Sequence, residues 1–155
     1  MWALVHQQLY NAGEAMLTGD KELAYKVISR ERRVNAFELK IDSDCEDIIA
    51  LYAPVAIDLR FVLAMYKINT NLERLGDFAE SIARFAGNLP EGEPIDPQLV
   101  KETRVEEMLS ELLSMISLTK EAFEKQSSEI ASRIFLKDNL IDEINHNSTA
   151  IIAKY

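Results

Sequence analysis

Between Val55 and Ala86 the chain runs without proline and with a single glycine, Gly76. That stretch restricts the fold more than any other. Pro54 is expected to open this helix, since proline suits a first helical turn and forbids continuation of whatever came before. Phe61, Met65, Ile68, Leu72, Leu75, Ala79, Ile82 and Ala86 then recur at spacings of four and three, an apolar seam along one helix face. Beside the seam stand Glu73, Asp77 and Glu80 at i, i+4, i+7, so their carboxylates share one side of the rod. Like charges at i, i+4 cost a few tenths of a kcal/mol, and a bound cation would offset that cost.

The remaining segments read as helices that pack against this one. Met1–Leu17 carries a stripe of Leu4, Val5, Leu9, Ala12, Ala15 and Met16, and Thr18-Gly19-Asp20 supplies a glycine stop followed by an aspartate cap. A second helix is predicted from about Lys21 to Leu51, a rod of roughly 45 Å at about 1.5 Å per residue. Its buried side is marked by Leu23, Val27, Val34, Phe37, Ile41, Cys45 and Ile48. The third helix ends near Gly87-Asn88. Leu89–Pro97 holds three of the four prolines and a glycine and reads as a linker. A fourth helix is predicted from Gln98 to Lys125, and a fifth from the Ser127-Ser128 cap to the end of the chain. Short turns at Thr18–Asp20 and Tyr52–Pro54 make neighbours antiparallel. The expected fold is therefore all-α, an antiparallel bundle of five long helices.

Shifting the sequence on itself by 107 positions superposes Asp20-Lys-Glu-Leu-Ala on Ser127-Ser-Glu-Ile-Ala, Glu31 on Asp138, Val34 on Ile141 and Asn35 on Asp142. The bundle thus reads as two repeats, a three-helix unit over 1–88 and a two-helix unit over 98–155, joined by the linker at 89–97. Equivalents of Glu73 and Asp77 would map beyond residue 155, so the chain reads as short of a complete second unit. The fourth and fifth helices then have apolar faces with no third helix over them. Faces of that length mark interaction surfaces, which predicts self-association, a homodimer in the simplest case.

Composition narrows the functional classes. A net charge of −9 and a pI near 4.8 leave no basic footprint for nucleic acid. Ile48–Tyr66 is the best membrane candidate, yet Pro54, Asp58 and Arg60 interrupt it well short of ~20 apolar residues. Any membrane attachment is expected to run through a partner. The N-terminal MWALVHQQLY lacks the basic and apolar regions of a signal peptide. A single cysteine, Cys45, cannot form an internal disulfide, which fits the cytoplasm. No Ser-His-Asp set, Cys-His pair or glycine-rich phosphate loop is present, so the chain does not read as an enzyme. Glu143-Ile-Asn-His146 has the spacing of di-iron bundles, but such sites need it twice, and His6 has Ala3 at the matching place.

Three polar ladders stand out: Glu31, Asn35, Glu38 and Asp42; Glu73, Asp77 and Glu80; and Asp138, Asp142 and His146. Successive carboxylates lie about 6 Å apart along a helix, and neighbouring helix axes 8–10 Å apart. Facing ladders could supply several oxygens to one or more cations, a donor set suited to Mg²⁺, Mn²⁺, Ca²⁺ or iron rather than to thiolate-bound zinc. A solvated acidic face is the other reading, with Arg84 pairing locally to Glu80. Gly76 costs about 1 kcal/mol against alanine in a helix, which points to a close helix approach.

The blocks PVAIDLRF, KINTNLERLGD and AESIAR resemble the PhoU family, helical regulators of bacterial phosphate uptake and phosphate signalling. The likeness runs from about Leu4 to Arg84 and again from about Leu112 to the end. It implies a six-helix bundle of two three-helix repeats, with metal clusters held on the bundle surface by acidic E/D-xxx-D motifs. The matching positions are Glu73 with Asp77, Glu31 with Asn35, and Asp138 with Asp142, so the implied ligands are Glu31, Glu73, Asp77, Asp138 and Asp142. Asn35 stands where an acid is usual. The implied cofactor is a divalent or trivalent ion: Mn, Fe, Zn or Mg. The implied function is negative regulation of phosphate uptake and of the phosphate starvation response. It would be exerted by contact with the phosphate ABC transporter ATPase and the associated sensor histidine kinase at the inner membrane face. The alternative is a structural bundle serving another transporter or channel, without metal.

Overall fold

The computed structural model describes residues 1–90 and 94–154. Six helices occur among them: α1 (Trp2–Thr18), α2 (Lys21–Tyr52), α3 (Ala56–Asn88), α4 (Pro97–Thr103), α5 (Val105–Glu124) and α6 (Ser128–Ile152). The all-α expectation holds. The count of five does not, because the predicted fourth helix is broken in two. The break falls at Arg104, which takes a left-handed φ of 53° and serves both as C-cap of α4 and N-cap of α5. Its guanidinium reaches Glu107 at 2.7 Å and Glu143 of α6 at 3.1 Å. The carbonyl of Thr103 accepts a hydrogen bond from the Ser148 hydroxyl of α6 at 2.9 Å. Contacts with α6 therefore replace helix bonds where the chain bends.

Helix ends elsewhere follow local chemistry. Gly19 closes α1 at φ 72°, with its N–H on the Ala15 carbonyl, and Asp20 caps α2 by accepting from the Leu23 N–H at 2.9 Å. Ser127 caps α6 through the Ile130 N–H at 3.2 Å. At the α2–α3 turn Pro54 stands outside the helix rather than opening it. Ala53 turns left-handed at φ 41°, Val55 is extended, and α3 starts at Ala56. Residues 91–93 of the expected linker lie outside the described residues.

The core belongs mainly to the first three helices. Val5, Leu9, Ala12 and Ala15 of α1 meet Ala24, Val27 and Val34 of α2 and Leu72, Ala79, Ala83 and Ala86 of α3, joined by Ile116 of α5. Alanine at so many contact positions lets the helices approach closely. Gly76 adds to this at the α2–α3 contact: a Cβ there would sit 2.8 Å from Cγ1 of Val34. The close approach expected from the sequence is thus real. Gly76→Ala should lower stability by about 1 kcal/mol. Overpacking of about 1–3 kcal/mol outweighs the helix-propensity gain of about 1 kcal/mol, and urea unfolding checks it.

The later helices are barely covered. Only Ile116 and Ala122 of α5 and Ile144 of α6 are buried, while Phe135, Leu136 and Ile152 of α6 are largely exposed. α6 rests on α5 and α4, and α5 on α1. No helix among the described residues is long and apolar enough to cross a membrane.

Candidate metal-binding face

Asn69 sets the register of α2 against α3. It is 2% exposed, and its amide N–H₂ donates to the Glu38 carbonyl at 2.9 Å and to Oδ1 of Asp42 at 2.7 Å. Four and eight residues further along α3 come Glu73 and Asp77. With Gly76 admitting Val34 closely, the acidic sides of the two helices are brought together.

Glu73 reports that convergence. Its carboxyl is pushed above the ordinary carboxylate range by partial burial first, then by Asp77, by Glu38, by a side-chain hydrogen bond with Asp77, and by Glu31. Glu31, Glu38, Glu73 and Asp77 therefore share one electrostatic neighbourhood across the α2–α3 interface. On α2, one turn from Glu31 and from Glu38, Oδ1 of Asn35 is buried without a hydrogen-bond partner, and an acceptor in that state is costly unless a donor, water or cation meets it. The donor set is all oxygen. Cys45 is buried, and burial followed by Asp42, Asp44 and Glu46 pushes its thiol up, so it offers no thiolate. A hard cation fits carboxylates and an amide oxygen of this kind. Even so, among the described residues no three His, Cys, Asp or Glu side chains are gathered tightly enough to make a metal cluster as they stand.

Other residues singled out in the sequence fall elsewhere. Glu80 is engaged by Arg84, with Nη2 at 2.6 Å from Oε1, the local pairing expected. Asp138 and Asp142 are exposed on α6, which packs on α5 and α4, whereas α2 packs on α1 and α3. The two acidic sets therefore stand on different helix pairs. Glu143 pairs with Arg104, which takes up the carboxylate of the Glu-x-x-His spacing. Sequence reasoning missed Asn69. The available signal was a polar residue one helical turn before Glu73 and next to Ile68 of the apolar seam.

A second feature is a groove of about 650 Å³ between α1, α3, α5 and α6, lined by Leu9, Leu75, Phe78, Ile82, Leu112 and Ile134 among others. Its α5 and α6 walls belong to the fourth and fifth predicted helices, whose apolar faces the sequence left without a covering helix.

Residues 1–86 match the family model described as PhoU domain, which is more than half of the chain. The chain belongs to the PhoU family. A phosphate-specific transport system accessory protein PhoU homolog of Aquifex aeolicus is 36% identical over 148 residues, 94% of this chain and 64% of that protein. The phosphate-specific transport system accessory protein PhoU of Escherichia coli is 35% identical over 143 residues, 92% of this chain and 58% of its own length. The crystal structure of PhoU from Pseudomonas aeruginosa superposes with a TM-score of 0.91 at 29% identity, covering 100% of this chain and 73% of the other. This PhoU-family chain thus spans under two thirds of the length of these curated relatives.

Proposed function

We propose that this chain is a non-catalytic accessory of phosphate transport, a negative regulator of phosphate uptake and of the phosphate starvation response. It acts as a metal-binding adaptor between the phosphate ABC transporter ATPase and its sensor histidine kinase, in the cytoplasm at the membrane's inner face. The observation that carries the reading is the likeness, over nearly the whole chain, to proteins named as accessories of the phosphate-specific transport system. Glu31, Glu73 and Asp77, with Glu38 and the amide oxygen of Asn35, would hold a Mn, Fe, Zn or Mg ion on the α2–α3 face. Asp138 and Asp142 would serve a second position on α6. The ion shapes a binding surface and performs no reaction. A second copy of the chain closes the apolar groove, giving a homodimer.

The test is a pull-down of the purified transporter ATPase and of the kinase's cytoplasmic part by this chain, with and without added Mn²⁺. Retention of either partner that falls tenfold or more in chelator supports the adaptor. Retention indifferent to metal leaves a metal-independent accessory bundle, the reading favoured by the loose spacing of the acidic side chains. Retention of neither partner removes both.

A further inference from the structure

The α2–α3 hairpin tip departs from the polar, glycine-bearing composition usual for an exposed turn. Leu51, Tyr52, Val55 and Ile57 are 75, 76, 73 and 75% exposed there. Ile48 extends the apolar surface one turn back along α2, and Phe61 one turn onward along α3. Ala53 and Ala56 take φ values of 41° and 49°, a backbone region that residues with a Cβ adopt at a cost. Phe61 stacks on Phe123 of α5 with ring centroids 5.6 Å apart, an aromatic contact one turn along α3 from the tip. Scattered exposed hydrophobes need no explanation, but a set gathered on one hairpin tip marks a contact surface.

Charge decides between a bilayer and a protein. From Asp42 to Arg60 the hairpin carries five carboxylates, Asp42, Asp44, Glu46, Asp47 and Asp58, and one cation, Arg60. Lys40, just before them, is paired with Asp44. An acidic rim repels anionic headgroups, whereas membrane-binding tips carry lysine and arginine. The same rim complements a protein surface edged by basic side chains.

We propose that the tip is a protein-docking surface, inserting Leu51, Tyr52, Val55 and Ile57 into an apolar pocket of a partner protein whose rim is basic. The surface is argued from the hairpin alone and goes beyond the accessory reading, which does not say where a partner binds.

The experiment places a photo-crosslinking amino acid at Leu51, and as a control at Tyr25, which is also exposed but sits near the start of α2. Crosslinking is done in the living cell with the full chain, and adduct peptides are sequenced. The expected result is one protein adduct from position 51 and none from 25, mapped beside a pocket edged by Lys and Arg. Adding Tyr52→Ser/Ile57→Ser should cut its yield at least tenfold while circular dichroism and Tm stay unchanged. If the adduct is a phosphate-transporter or kinase component, the accessory reading gains as well. If it is another protein with such a pocket, the docking surface stands and the adaptor role fails at this surface. The proposal is overturned by equal adducts at 51 and 25, by no protein adduct at 51, or by adducts only to lipid or to a second copy of this chain. Undiminished yield in the double variant overturns it too.

Discussion

Protein purified without chelator should carry near-stoichiometric Mn, Fe, Zn or Mg, and the Glu73→Ala/Asp77→Ala variant should carry essentially none. The reason is the α2–α3 face itself. Glu73 is crowded by Asp77, Glu38 and Glu31, and the buried Oδ1 of Asn35 has no partner. A cation bound among these side chains would relieve both faults, while a hydrogen-bonded water would relieve only the second. Elemental analysis decides it: metal-free wild type that also ignores added cations would leave the ladders as a solvated acidic face. A stability arm needs no metal. Because Glu73's carboxyl titrates above its unfolded value in the metal-free fold, folding favours its protonated form. Stability should then decline as pH rises from the unfolded pKa through the folded one, and the penalty is complete above both. Glu73→Gln in chelator should therefore stabilise the chain at pH 7 by a few tenths of a kcal/mol, the scale of neighbouring like charges on a helix, and should not do so near pH 3. In the presence of metal the same substitution should have the opposite sign at pH 7, since a ligand that binds only the folded state stabilises it.

What was legible in the sequence was whatever the chain decides locally. Gly19 and Asp20 end one helix and cap the next with side-chain and backbone groups three or four residues away, so the turn could be read directly. Gly76 could be read as a close approach because glycine in a long helix is costly and needs a reason. The break at Arg104 could not. Arginine favours helix, no proline or glycine marks the place, and the apolar spacing continues across it. Glu143 and Ser148, both on α6, hold the bend, and their positions are set by the tertiary fold. The shift of the α3 start from Pro54 to Ala56 has the same origin in part. The left-handed conformations of Ala53 and Ala56 are unfavourable for alanine and cannot be anticipated from its identity. In the acidic face, Glu31, Glu73 and Asp77 stood out by spacing alone. Asn69, which fixes the facing of the two helices, works through partners 27 and 31 residues away, a separation that no local pattern exposes.

Leu72 and Phe78 should separate folding from assembly, although both line the same groove. Leu72 is 4% exposed and belongs to the core shared by α1, α2 and α3, so Leu72→Ala should cost about 2–5 kcal/mol of stability, the range for a truncated buried leucine. Phe78 is 55% exposed in the single chain. Phe78→Ser should therefore change the isolated chain's stability by no more than about 0.5 kcal/mol. If a second copy closes the groove, Phe78 becomes an aromatic anchor at its centre, and losing such an anchor costs about 2 kcal/mol or more of binding. At 1.4 kcal/mol per tenfold, that is a dimer weaker by roughly 30-fold. Sedimentation equilibrium reads the dissociation constant and urea unfolding the stability, each variant serving as the other's control. A dimer that tolerates Phe78→Ser would place the contact elsewhere, and a wild type that stays monomeric at high concentration would remove self-association altogether. The loss should be confined to assembly because α5 and α6 bury only Ile116, Ala122 and Ile144, so the groove between them and α3 adds little to the single chain's core. The apolar side chains facing that groove would be stabilised mainly by a covering partner.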